Sequence, residues 1–180
     1  MDIKDYCCGN YYIICICEGT AEQDIIEWLL EEDRLLFNKD SLVDKRITRI
    51  RKAKKIEKEF LSLDYDKPVV IFRIIDSRNE KFTLGNLYKD RFTVRNLITN
   101  PEIEILMIID EDDYQNYTKK WESKVKPSEY ASTRYKIKKI KQQGTIKDFF
   151  NSDIVSLISA IKSHKKMKGK KHLTINDILK

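Results

Sequence analysis

Apolar runs and their spacing divide the chain into alternating strand-like and helix-like stretches. YYIICIC, residues 11–17, is short, continuous and rich in β-branched positions, the pattern of a strand covered on both faces. Glu18 and Gly19 follow. Thr20 with Gln23 three residues on forms a capping-box pattern that predicts a helix start. Ile25, Ile26, Trp28, Leu29 and Leu30 make that helix deeply apolar. A strand, a tight turn and a helix open an α/β fold. In DKRITRIRKAKKIEKE, residues 44–59, Ile47, Ile50 and Ile56 fall on a helical period that Phe60 continues, predicting a second helix. DKPVVIFRIID, residues 66–76, predicts a second buried strand, with Pro68 at its start, where a missing amide costs least, and Asp76 at its end. A further helix is expected within residues 87–99, with Phe92, Val94 and Leu97 inward and Asn100-Pro101 as its break. EIEILMIID, residues 102–110, predicts a third apolar strand with acids at both ends.

Beyond Asp113 the character changes. Residues 116–141 hold nine Lys/Arg and two acids, interleaved with Tyr117, Trp121, Tyr130 and Tyr135. Pro127-Ser128-Glu129 predicts a helix start, and residues 153–161 a further amphipathic helix. KSHKKMKGKKH, residues 162–172, has six lysines and no acid and is expected to be a mobile tail; LTINDILK closes with a short helical signal. The expected architecture is an α/β core over residues 1–113, with a central, mostly parallel sheet flanked by helices. A basic, mainly helical C-terminal extension over residues 114–180 packs on it.

Composition narrows the class. The chain has 180 residues, enough for one domain that buries about two-thirds of its unfolded surface. With 41% hydrophobic and 36% charged residues and little Gly or Pro, it is a globular chain rather than a disordered one. Net charge is +6 and the isoelectric point about 9.0. That balance favours anionic partners, nucleic acid or an acidic membrane surface, although a generally lysine-rich surface gives the same charge. No apolar run approaches the ~20 residues of a membrane span. The four cysteines, Cys7, Cys8, Cys15 and Cys17, lack the spacing of a zinc site, and Cys15 and Cys17 alternate with isoleucines as small strand residues. The first residues, MDIKDYCC, lack the pattern of a secretion signal, so the expectation is a cytoplasmic protein with reduced thiols.

The candidate chemistry lies in carboxylates at strand ends. Glu18 follows the first strand, Asp76 the second, and Glu102, Glu104, Asp110 and Asp112 flank the third. In open α/β sheets ligands bind outside the carboxyl ends of the strands. Carboxylates that converge repel one another unless a cation neutralises them. Mg²⁺ takes oxygen ligands from one or two carboxylates plus substrate phosphates, and phosphodiester cleavage is the chemistry that uses such a site. Acids where strands meet solvent look the same one at a time. Glu18 stands out because Gly19, expected to allow a tight turn and close phosphate approach, and a helix start follow it.

These residues resemble a known family. CEGTAEQDII, with its strand, Glu18, Gly19 and Glu22, is similar to the first motif of the Toprim domain, shared by topoisomerases, primases, OLD-type nucleases and small stand-alone nucleases of prokaryotic phage defence. The second Toprim motif is an apolar strand ending in Asp-x-Asp; VVIFRIIDSRNEKF supplies the strand and Asp76, with Arg78 at the second acid. NPEIEILMI resembles a segment of the small defence nucleases in which Asn-Pro precedes a strand carrying a glutamate, matched by Glu104. The resemblance covers residues 11–113. It implies a Toprim-like, Rossmann-like core and a Mg²⁺- or Mn²⁺-dependent nuclease. Glu18 would be a general acid/base or metal ligand, Asp76 a metal ligand, and Glu104 would complete the metal shell. Arg78 would either neutralise substrate phosphate or mark a site that has lost catalysis. A second registration puts the Asp-x-Asp at Asp110 and Asp112.

The basic half suits a polyanion beside such a site, since cations track a nucleic-acid backbone and rings stack on bases. Lys119, Lys120, Lys124, Lys126, Arg134 and Lys136 are the candidate contacts, with Gly19 and Arg78 nearer the acids. The alternative is that the aromatics anchor helices while the lysines face water. Three functions remain at this level: a metal-dependent nuclease in anti-phage defence; a catalytically degenerate nucleic-acid- or partner-binding subunit of a larger defence complex, with an ATPase as the implied partner; and a regulatory module with no nucleic-acid role.

Overall fold

The computed structural model describes residues 2–77, 80–169 and 172–180, with the backbone alone for Lys168. Three parallel strands form an open sheet: β1 (Tyr12–Cys17), β2 (Val69–Ile75) and β3 (Thr93–Ile98), with β2 in the centre. Side chains alternate between the two faces of a strand, and both faces are covered here, which is why β1 and β2 are almost wholly apolar. Ile13, Cys15 and Cys17 with Val70, Phe72 and Ile74 face a large core under α1 (Thr20–Glu31) and the C-terminal helices. Ile14, Ile16 and Ile71 face a smaller core closed by Ile56, Phe60, Leu61 and Leu84. The cysteines of β1 are packing residues, as expected, and all four thiols are free.

The predicted helix over 44–59 begins only at α2 (Ala53–Ile56), which continues as a π-helical turn, Glu57–Leu61. Before it the chain lies extended beside β1. The Thr48 N–H donates to the Cys15 carbonyl at 2.9 Å, and the Cys17 N–H donates to the Thr48 carbonyl at 3.0 Å. Ile47 packs on the large core and Ile50 on the small one, so their spacing of three belongs to an extended segment with alternating faces.

Two further expectations exchange places. Residues 93–98, read as helix, are strand β3, while residues 102–110, read as strand, give the helix α3 (Ile105–Asp110). The Asn100–Pro101 peptide between them is cis. The capping box also fails: Gly19 is the N-cap of α1 with no side-chain cap, and the Gln23 amide donates to Glu27 at 2.8 Å.

The basic region folds as α4 (Tyr114–Lys120), α5 (Pro127–Arg134), α6 (Thr145–Phe149), α7 (Ile154–Lys168) and a closing 3-10 turn, Ile175–Ile178. α7 packs on α3 and α6 on α1. Ile146, Phe150, Leu157, Ile161 and Ile178 join the large core with β1, so one apolar interior runs through both regions. Residues 162–168 of the expected mobile tail are the last turns of α7, and Lys170 and Lys171 lie outside the described residues. Among the described residues, no helix is long and apolar enough to cross a membrane.

Candidate acidic site at the strand carboxyl ends

A parallel sheet sends the carboxyl ends of all its strands to one edge, where a crevice forms. Here each strand delivers acids to that edge: Glu18 directly after β1, Asp76 directly after β2, and Glu102 and Glu104 in the short link from β3 to α3. With Glu22 from the first turn of α1 they line a cleft of 240 Å³, and among the described residues Arg51 and Lys141 are its cations. Glu104 reaches the cleft because it is the N-cap of a helix that follows β3, not because it sits in a strand.

The acids are held differently. Glu18 accepts the Asp76 backbone N–H at 3.0 Å through one carboxylate oxygen and a hydrogen bond from Arg51 Nη2 through the other. Arg51 reaches it because Thr48 pairs alongside Ile16 of β1, which carries the chain past the end of that strand. Glu102 accepts the Ser128 N–H at 3.0 Å and Lys141 Nζ at 3.2 Å. Burial alone would raise the Glu102 carboxyl, but those hydrogen bonds hold it below the ordinary carboxylate range. Glu104 is 4% exposed. Burial pushes its carboxyl up to about 7, with the charges of Glu102 and Glu22 adding to the effect. Glu22 is likewise raised, first by burial and then by Glu18 and Asp76.

Gly19 has a different role from the one expected. Its backbone is extended, at φ −126°, so no tight left-handed turn requires glycine. A Cβ built there would lie 2.6 Å from a carboxylate oxygen of Glu22, so the missing side chain is what lets the buried Glu22 carboxylate sit against the backbone.

A charge chain extends the site beneath the sheet. Arg73, in the middle of β2 and 1% exposed, pairs with Glu80 at 2.5 Å, lies 4.3 Å over the Phe82 ring and donates to Asn96 at 3.3 Å. Glu80 also pairs with Arg51 at 3.2 Å, so Arg73, Glu80, Arg51 and Glu18 alternate in sign. Arg51, Arg73, Glu80 and Lys141 are absent from the sequence-based site. Arg73 did carry a signal, since a lone cation in an apolar central strand must find a buried partner. Nothing in the sequence pointed to Lys141.

The other candidate residues scatter. Asp110 and Asp112 do not line the cleft: Asp110 ends α3, about 9 Å along the axis from Glu104, and its charge neighbours are Glu111 and Asp153. Arg78 lies outside the described residues. Lys120 and Arg134 line a groove of 590 Å³ between α4 and α5, and Arg134 also pairs with Asp113 at 3.3 Å. Lys124 Nζ lies 5.7 Å over the Trp121 ring in the same region, and Lys126 lines an adjoining groove. Lys119 and Lys136 are exposed and line neither. Tyr117 and Tyr130 are buried and Tyr135 half-buried, so of the four interleaved rings only Trp121, 42% exposed, offers a face to solvent.

As placed, no group of three or more His, Cys, Asp or Glu side chains among the described residues has metal-holding geometry, so Glu18, Asp76 and Glu104 do not form the closed shell expected of them. The donor set still suits a hard cation. Among the described residues five carboxylates face two side-chain cations, all the ligand atoms are oxygens, and two of the acids are raised by burial and mutual repulsion. No protein-family model, curated protein or solved structure matches the chain.

Proposed function

We propose that the protein is a metal-dependent nuclease of Toprim type that cleaves phosphodiester bonds at the acidic cleft. The observation that carries the reading is the convergence of acids from the carboxyl ends of all three parallel strands on one cleft that also holds Arg51 and Lys141. Excess negative charge there calls for a divalent cation. Glu18 and Asp76, adjacent and partly solvated, are the residues that would hold it, with phosphate oxygens completing its shell. When bound, Mg²⁺ or Mn²⁺ supplies Lewis acidity toward the phosphoryl oxygen and a more acidic water. Glu104, with its carboxyl near 7, exchanges a proton readily at neutral pH, the property a general acid/base needs. Arg51, half-exposed and paired with Glu18, is placed to transfer its guanidinium to an incoming phosphate oxygen. The role in anti-phage defence and an ATPase partner rest on the resemblance of residues 11–113 alone.

Glu18→Ala should abolish Mg²⁺-dependent cleavage while leaving folding and nucleic-acid binding in place. Cleavage that survives both Glu18→Ala and Asp76→Ala refutes the site. A second reading, a non-catalytic binding subunit on the same fold, is favoured by the Arg51–Glu18 pair, which already neutralises part of the charge a metal would. It requires salt-dependent binding with no cleavage in Mg²⁺ or Mn²⁺.

A further inference from the structure

The acidic cleft does not stand alone on the surface. Lys141 forms part of its wall and also part of the wall of a 590 Å³ groove that contains Lys126 and Lys139. Glu129 is shared in turn by that groove and the one between α4 and α5, where Trp121, Lys120 and Arg134 lie. The three depressions therefore adjoin in series, the two grooves along α5 and the acidic cleft beyond its first turn, where the Ser128 N–H meets Glu102. Along the series the side chains change from acids, to the lysines of the second groove, to an exposed indole in a groove also lined by Lys120 and Arg134, with Glu129 where the two grooves join. α5, eight residues long, spans about 12 Å, so the series is longer than one nucleotide.

Resting on the nuclease reading, we propose that the substrate is an unpaired nucleic-acid strand. Its reacting phosphate lies at the acidic cleft, its backbone passes Lys141 and the Lys126/Lys139 groove, and one base stacks on Trp121. A ring face can receive only a base that is not already stacked within a duplex, so the indole selects single strands, flaps or loops. Lysines along the path supply sequence-independent attraction to phosphates. Tyr130, 6.0 Å from the indole and tilted against it, flanks the ring from inside, and Lys124 Nζ, 5.7 Å from the ring centroid, moves off the ring onto a phosphate when the base stacks.

The test is binding by the full chain in EDTA, which separates it from cleavage. Trp28 is 2% exposed, so accessible tryptophan emission reports Trp121. Short oligothymidylate or oligouridylate should quench that emission, and a duplex of matched length should not. Trp121→Ala should weaken oligothymidylate binding about tenfold, Trp121→Phe should restore most of it, and an oligomer of abasic sugar phosphate should bind wild type and Trp121→Ala alike. Lys126→Ala with Lys139→Ala should lower the salt slope by about 1.4. Equal affinity of wild type and Trp121→Ala for oligothymidylate, or equal quenching by duplex, overturns the proposal even if cleavage is found. Quenching with the expected tenfold loss upholds the strand path even if no cleavage is found.

Discussion

Glu104→Gln separates the electrostatics of the acidic cleft from its packing, because the two side chains have nearly the same shape. The Glu104 carboxylate is buried and accepts from its own backbone N–H, a bond that the glutamine carbonyl keeps. In the unfolded chain the carboxyl titrates near its ordinary 4.5, and in the folded protein near 7. Below pH 4.5 both states hold the proton and the group costs nothing. As the pH rises, the unfolded chain releases its proton first, so wild-type stability falls. The loss levels off above the folded value near 7, at on the order of 3 kcal/mol. Glutamine does not ionise. The stability of Glu104→Gln relative to wild type should therefore climb from near zero at pH 4.5 to about 3 kcal/mol in its favour at pH 8. Urea unfolding of both proteins across that range measures the difference; contributions from groups remote from Glu104 cancel, and relief of Glu22 and Glu102 adds in the same direction. Mg²⁺ should shrink the advantage by neutralising the acids of the wild-type cleft. A difference that does not vary with pH, or a glutamine variant less stable than wild type at pH 8, refutes the reasoning.

Two further substitutions test how the site is built. Gly19→Ala places a methyl against the Glu22 carboxylate, whose side-chain end must swing aside, and should cost about 1 kcal/mol in thermal or urea unfolding. The loss should largely vanish in a Glu22→Ala background, and an undiminished loss there would place the strain elsewhere. Arg73→Ala leaves Glu80 with Arg51 as its partner, opens a cavity in the central strand and should cost about 3 kcal/mol, whereas Arg73→Met with Glu80→Gln should come close to wild type. A double variant as unstable as Arg73→Ala would show that the aromatic stacking and the Asn96 bond, rather than the ion pair, hold the strand.

The elements legible in the sequence are those whose burial is uniform and whose neighbours are close in the chain. β1 and β2 are covered on both faces, so continuous apolar runs marked them, and the acids directly after them lie where a parallel sheet places ligands. β3 and α3 were exchanged for a physical reason. β3 is an edge strand with only Leu97 and Ile98 buried, so no continuous apolar run or strict alternation marked it as a strand. α3 is enclosed by α5, α7 and the core, so Ile105, Leu106, Met107 and Ile108 are all buried and no helical period survives. Glu104 lines the cleft as a helix cap, not from the strand that its apolar neighbours predict. By itself the sequence determined a basic α/β chain with Glu18 and Asp76 at the ends of two buried strands. Only the tertiary structure could bring Arg51, Glu102, Glu104 and Lys141 to the same edge. Residues so far apart in the chain meet through the register of parallel strands and the packing of helices, and neither leaves a local pattern.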